Sequence, residues 1–270
     1  MVKKLYRSTI GRFILRIITA AFISDIAGRL LDSRLSVVAI KPFVKRNKID
    51  MTDFVVEDWN SFNEFFTRRV KSGARLINKG KNVLISPCDG LLTVYDIDDK
   101  TVMKIKNSYY TVGTLLEDKK LAEEYKEGKC LVFRLTPSHY HRYCYIDNGN
   151  KGQNIHIKGI YHTVQPFAVE NKPVYKMNTR EYTLLNTENF GKVVFMEVGA
   201  LMVGRICNYH QKYTFAKGEE KGRFEFGGST IIILLNKNAA EIDEEILNSK
   251  NEYPVKMGQK IGLKRLYDNI

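Results

Sequence analysis

Residues 223–235 read RFEFGGSTIIILL, and their order contains a contradiction. Arg-Phe-Glu-Phe alternates as a strand does, and Thr-Ile-Ile-Ile-Leu-Leu is an unbroken apolar run. Between them stand Gly227, Gly228 and Ser229, although glycine weakens a strand interior and serine gains nothing in an apolar one. The residues alone leave three explanations open: a tight turn, a phosphate-binding nest, or a nucleophilic serine given access to backbone.

Outward from this point the same grammar holds back to about residue 80. VLISP, GLLTVYDI, CLVFRL, YCYI, NIHIKGIYHTV, YTLLNT and KVVFMEVGALMVGRI are short runs rich in Val, Ile, Phe and Tyr, divided by Gly, Asn, Asp and Lys. That is the pattern of a mostly antiparallel β domain, interrupted by one helical insertion, VGTLLEDKKLAEEYK. Upstream the period changes. From Leu5 to about Leu31, Ile10, Phe13, Ile14, Ile17, Ile18, Ala21, Phe22 and Ile26 recur mostly at steps of three and four, among Arg7, Arg12, Arg16 and Arg29. The spacing predicts an amphipathic helix whose apolar face meets either a bilayer interface or the protein's own core. A second helix is expected over 33–45, ended or kinked by Pro42. In DWNSFNEFFTRRV, Ser61 and Glu64 have capping-box spacing and Phe62, Phe65 and Phe66 share a helix face, with Arg68 and Arg69 turned elsewhere. The expected class is α+β: a helical, basic, membrane-associating N-terminal region over 1–75, then a β-rich catalytic domain over 76–270.

Lys and Arg number 43 against 30 Asp and Glu, a net charge of +13 that suits an anionic partner. Cys88, Cys130, Cys144 and Cys207 show neither CxxC spacing nor a paired pattern, which argues against a zinc site or a disulfide framework and for a reducing compartment. The most apolar segment, FILRIITAAFISDIAG, carries Arg16 and Asp25, so no run reaches the roughly 18 uncharged residues of a spanning helix. No small-residue cleavage site follows it, and the segment is read as retained.

Three stretches could carry chemistry. SPCDG at 86–90 puts Asp89 in an Asp-Gly turn, which is also a common hairpin signal. LTPSHYHRYCY at 135–145 places His139 and His141 two apart, on one face if the segment is a strand. No further ligand lies at metal spacing, so no metal is expected. With Ser229 these are the parts of a nucleophilic relay, since a hydroxyl needs a base and the base a carboxylate to orient it.

SFNEFFTRRV, SPCDG, YHRY, NTREYTLLNTENFG, VGALMVGRI and KGEEKGRFEFGGST resemble, in that order, the signature segments of the phosphatidylserine decarboxylases, over about residues 59–235. The resemblance implies a proenzyme that cuts its own backbone between Gly228 and Ser229, giving a β chain of 1–228 and an α chain of 229–270. Ser229 Oγ attacks the preceding carbonyl, and elimination and hydrolysis of the resulting ester leave a covalent pyruvoyl group in place of Ser229. Gly228, without a Cβ, suits the strained dihedrals of that attack. By resemblance Asp89 orients, His141 accepts the proton and Ser229 attacks, with His139 as the outside candidate for base. Some family members carry a second histidine three residues after the Tyr-His-Arg one, where this chain has Cys144.

The resemblance further implies that the pyruvoyl carbonyl at position 229 forms a Schiff base with the serine headgroup's amine and serves as electron sink for decarboxylation. His141 is the first choice to return the proton. The implied partners are phosphatidylserine in an anionic membrane and the chain's own two fragments, with no nucleic acid and with a homo-oligomer allowed. The expected location is peripheral, on the cytoplasmic membrane face. The competing readings are a pyruvoyl decarboxylase for another headgroup, a non-enzymatic membrane-binding β module, and a hydrolase using the same triad; the last lacks a G-x-S-x-G elbow.

Overall fold

The apolar run after Ser229 forms the middle of the molecule. In a computed structural model that describes residues 28–105, 108–161, 176–199, 205–226 and 229–265, the strand Ser229–Leu235 is buried at every position. It pairs antiparallel with Gly191–Val198 on one side and Lys129–Leu135 on the other. A strand covered on both faces has no use for polar alternation, which is why its sequence reads as a continuous block.

Around it lies a nine-stranded antiparallel sheet in the order Tyr213–Phe215, Gly149–Lys151, Arg180–Thr187, Gly191–Val198, Ser229–Leu235, Lys129–Leu135, Gly90–Asp96, Tyr253–Val255, with Ile155–Ile157 also paired to Arg180–Thr187. Pro254, which has no N–H to donate, sits in the edge strand Tyr253–Val255. One face carries Leu131, Phe133, Phe195, Ile231 and Ile233 and packs on Tyr143 and Phe224 of a three-stranded sheet. The other carries Cys130, Val132, Val194, Met196, Ile232 and Leu234 and is covered by Leu115, Leu116, Leu121 and Tyr125. These helices and antiparallel sheets make an α+β fold, as the sequence predicts.

The helical insertion is two short helices, Val112–Leu116 and Lys119–Glu123. Glu117 at φ 53° ends the first, and the Asp118 side chain caps the second by accepting the Leu121 N–H. In the N-terminal region a 3₁₀ segment, Arg34–Ala39, leads into the helix Ile40–Arg46. Pro42 neither ends nor kinks that helix as expected; it occupies the first turn, where its missing N–H has no intrahelical partner to lose. The helix Phe62–Phe66 starts at Ser61, whose hydroxyl accepts the Glu64 N–H, and buries Phe62, Phe65 and Phe66 against Ile40 and Ile49. Of the amphipathic helix expected from Leu5 onward only 28–31 fall among the described residues, and these are helical. His162, Gly227 and Gly228 lie outside them.

Candidate active site

Strand register brings the candidate residues to one rim. Leu91 pairs with Arg134, and Arg134 with Thr230. The next row outward holds Gly90, Leu135 and Ser229, of which Leu135 and Ser229 pair directly. A Cβ on Gly90 would stand 3.3 Å from the Arg134 carbonyl, so the absence of a side chain there lets the two strands close up. With strands about 4.8 Å apart, the Gly90 and Ser229 backbones are separated by roughly 10 Å. Asp89 precedes Gly90, and the histidine segment follows Leu135. Ser229 is 2% exposed.

The Asp-Gly pair is not a hairpin. The strand before it, Val83–Ile85, pairs with Lys260–Lys264, whereas Gly90–Asp96 pairs with Lys129–Leu135 and Tyr253–Val255. Asp89 therefore sits on a crossing between sheets. Its buried carboxylate accepts from Arg75 Nε at 2.7 Å and Nη2 at 2.6 Å, and from the Met257 N–H at 2.9 Å. Among the described residues no hydrogen bond joins Asp89 to either histidine. A cleft of about 490 Å³ opens beside it, lined by Asp89, Arg75, Phe54, Ser138, His139 and Lys256 among others.

His139 and His141 precede the strand Arg142–Cys144 rather than lying in it, and they part company. His139 turns to the cleft and to Asp89. Burial lowers its pKa, with Asp89 pulling the other way. His141 packs its ring on Phe66, 4.0 Å between centroids, and is 2% exposed. Burial, followed by the charge of Arg68, pushes its pKa down to about 3, so it is neutral at physiological pH.

Their neighbours fix opposite tautomers. His139 Nδ1 accepts the Thr136 N–H at 2.9 Å, so a neutral His139 carries its proton on Nε2. His141 Nδ1 lies 3.0 Å from the His139 carbonyl, which can only accept. Nδ1 is therefore protonated, and Nε2 keeps a lone pair free to take a proton.

Phe226 ties the segment before Ser229 to this histidine. Its ring stands 5.2 Å from Phe66, its N–H donates to Asn63 Oδ1 at 3.1 Å, and the nearby Phe224 N–H donates to the His141 carbonyl at 2.9 Å. The Phe62–Phe66 helix thus grips His141 and the chain leading to Ser229 together. Cys144 is buried beside Pro87, its N–H on the Pro87 carbonyl at 2.9 Å. Burial pushes its thiol pKa up to about 12, too high for it to act as a base at neutral pH.

His141 has a measurable consequence for stability. Its folded pKa lies below the unfolded value near 6.5, so the unfolded chain takes up a proton that the folded one refuses as pH falls. The stability this group contributes is complete above 6.5 and declines below it by up to about 1.4 kcal/mol per pH unit. Denaturant unfolding between pH 7 and 5 is expected to show a shallower slope for His141→Gln than for the parent. An identical slope would show that His141 titrates normally.

Reading the sequence alone missed several parts. Arg68, expected to point away from the aromatic face, is 1% exposed with its guanidinium 4.1 Å from the Phe54 ring and 5.0 Å from Phe65. Arg75 carried no signal, because its partners Asp53 and Asp89 are 22 and 14 residues away. Glu197 and Lys221 form a fully buried pair at 2.5 Å, bridged by Asn208. Glu197 pairs with Ile231 and so stands diagonally from Ser229, on the same sheet face at roughly 7–8 Å between Cα atoms. His156 is on the surface, and His210 stacks on Tyr213 at 3.7 Å.

Comparison with known proteins agrees with the resemblance. Residues 62–263 match the family model described as phosphatidylserine decarboxylase. The chain is 47% identical over 265 residues to phosphatidylserine decarboxylase proenzyme 2 of Clostridium acetobutylicum, covering 97% of this chain and 91% of that protein. It is 42% identical to the phosphatidylserine decarboxylase proenzyme of Clostridium tetani, covering 96% and 90%, and 39% identical to that of Clostridium perfringens, covering 96% and 91%.

Proposed function

The chain belongs to the phosphatidylserine decarboxylase family, and on that premise we propose that it cleaves itself at Gly228-Ser229 and then decarboxylates phosphatidylserine to phosphatidylethanolamine with a pyruvoyl group. The observation that carries this reading is the shared strand row. Asp89 and a buried Ser229 lie at the same end of three adjacent strands, and the histidine segment follows the strand between them.

Self-cleavage follows from the chain's own groups. Ser229 Oγ bonds to the Gly228 carbonyl carbon, and its proton passes to His141 Nε2, the free lone pair identified above. The Gly228-Ser229 C–N bond breaks, leaving an ester and a free amine on residue 229. Loss of the Cα proton expels the Gly228 carboxylate, and water then replaces the nitrogen, which departs as ammonia. Asp89, held by Arg75, sets a fixed negative charge beside His139. The residues fit the group that results: it grows from the first residue of a fully buried strand, and the His141 imidazole, buried in the same protein, is neutral. The pyruvoyl group supplies a carbonyl electron sink for the carbon that loses carbon dioxide. His141 Nε2 takes and returns protons.

A membrane-borne substrate requires a docking face. Leu35 and Val38 are 79% and 81% exposed and stand among exposed Arg34, Lys41 and Lys45, a mixture suited to an anionic bilayer interface at the cytoplasmic face. No helix among the described residues is long and apolar enough to cross a membrane. Leu35→Glu combined with Val38→Glu is expected to weaken sedimentation with phosphatidylserine vesicles about tenfold or more while leaving self-cleavage intact. Undiminished sedimentation would remove this face from the reading.

The proposal as a whole is tested by intact mass and a lipid product assay on the purified protein. Two fragments split at 228/229, together with formation of the ethanolamine lipid, are expected. A single uncut chain favours the binding-module reading, and a split chain inactive on phosphatidylserine favours another headgroup.

A further inference from the structure

Arg68 is buried with most of its hydrogen-bonding capacity unused. Among the described residues its Nε and Nη1 have no partner, and Nη2 reaches only the Ser138 and His139 carbonyls, both at 3.4 Å. Buried guanidinium groups are ordinarily paired with a carboxylate or phosphate, because an uncompensated charge away from water is costly. Asp89 lies close enough to act on the charge of Arg68, but both its oxygens are occupied by Arg75. Phe54, Ser138 and His139, which surround the guanidinium, are also walls of the cleft. Arg68 thus stands one residue layer behind the cleft, held to its wall by two long hydrogen bonds.

Resting on the reading of the substrate above, we propose that Arg68 is the receptor for the phosphodiester of the lipid headgroup, exchanging the Ser138 and His139 carbonyls for phosphate oxygens when substrate enters. Two oxyanions are available on that headgroup, and chemistry separates them. A cation pairing with the carboxylate would stabilise the ground state and lose its partner as carbon dioxide leaves, which opposes the reaction. The phosphodiester keeps its charge from substrate to product. The planar fork of arginine also matches two phosphate oxygens, which a lysine does not. Arg68 is therefore a specificity-determining residue that acts in binding.

The test uses full-length protein with Arg68→Met and Arg68→Lys. Fragment masses, kcat and KM on phosphatidylserine in mixed micelles, and inhibition by glycerophosphoethanolamine and by L-serine are measured. Both variants are expected to split. For Arg68→Met, KM is expected to rise roughly 10- to 100-fold with kcat changed only a few-fold, and glycerophosphoethanolamine to lose potency by a similar factor. Inhibition by L-serine, which has a carboxylate and no phosphate, should not move. Arg68→Lys, which keeps the charge and loses the fork, should fall between; if Arg68→Met does not fold, this variant decides. An unchanged KM, a fall in kcat alone, or lost potency of L-serine instead of glycerophosphoethanolamine overturns the assignment. A wild type that splits but makes no ethanolamine lipid overturns the substrate reading itself, a result distinct from these.

Discussion

Ser229→Ala is expected to give one uncut chain of 270 residues and to lower ethanolamine-lipid formation by at least about 10⁴-fold, the scale on which an enzyme loses its nucleophile. The change removes only Oγ from a position that is 2% exposed at the head of a strand paired on both sides. The fold should therefore persist, and inactivity cannot be ascribed to unfolding if the uncut chain melts cooperatively. In the wild type the 229–270 fragment is expected to be lighter by one ammonia than a serine-ended chain. Mass spectrometry on the parent and variant reads both results at once. A Ser229→Ala chain that still splits at 228/229 would show that the bond is broken by another agent, and the whole reaction scheme would go with it.

The features of this site differed in how far sequence could reveal them. The apolar block 230–235 announced a buried strand, because only a strand covered on both faces has no polar alternation. The Asp-Gly pair misled, since hairpin and crossover use the same residues and only strand pairing separates them. For His139 and His141, two-residue spacing suggested a shared face, but the segment is not a strand, and the residues turn to the cleft and to Phe66 respectively. Arg68 and Arg75 were illegible for a different reason. A charged residue after a short helix reads as solvated unless its distant partners are known, and here those partners are Phe54, Asp53 and Asp89.

Cys144 shows how far a family pattern can be carried onto one chain. Where some members have a histidine, this chain has a buried thiol that does not ionise at neutral pH, so the proposed scheme draws its base from His139 or His141. The tautomers distinguish that pair where sequence could not. His139 as a neutral ring offers an Nε2 proton, whereas His141 offers an Nε2 lone pair.

From this, His141→Ala is expected to slow self-cleavage by roughly 10²- to 10⁴-fold, the usual contribution of a positioned general base. His139→Ala is expected to slow it less than tenfold while weakening the decarboxylation measured afterward. The low pKa of His141, about 3, gives the prediction a second edge. A base that is already neutral gains nothing from raising the pH, so the rate of splitting should show no inflection near 6.5. Splitting followed by intact mass, in freshly made protein across pH 5 to 8, checks both points. If His141→Ala splits as fast as the parent, or if His139→Ala alone stays uncut, the base is His139, and its partner is the Asp89 charge across the cleft.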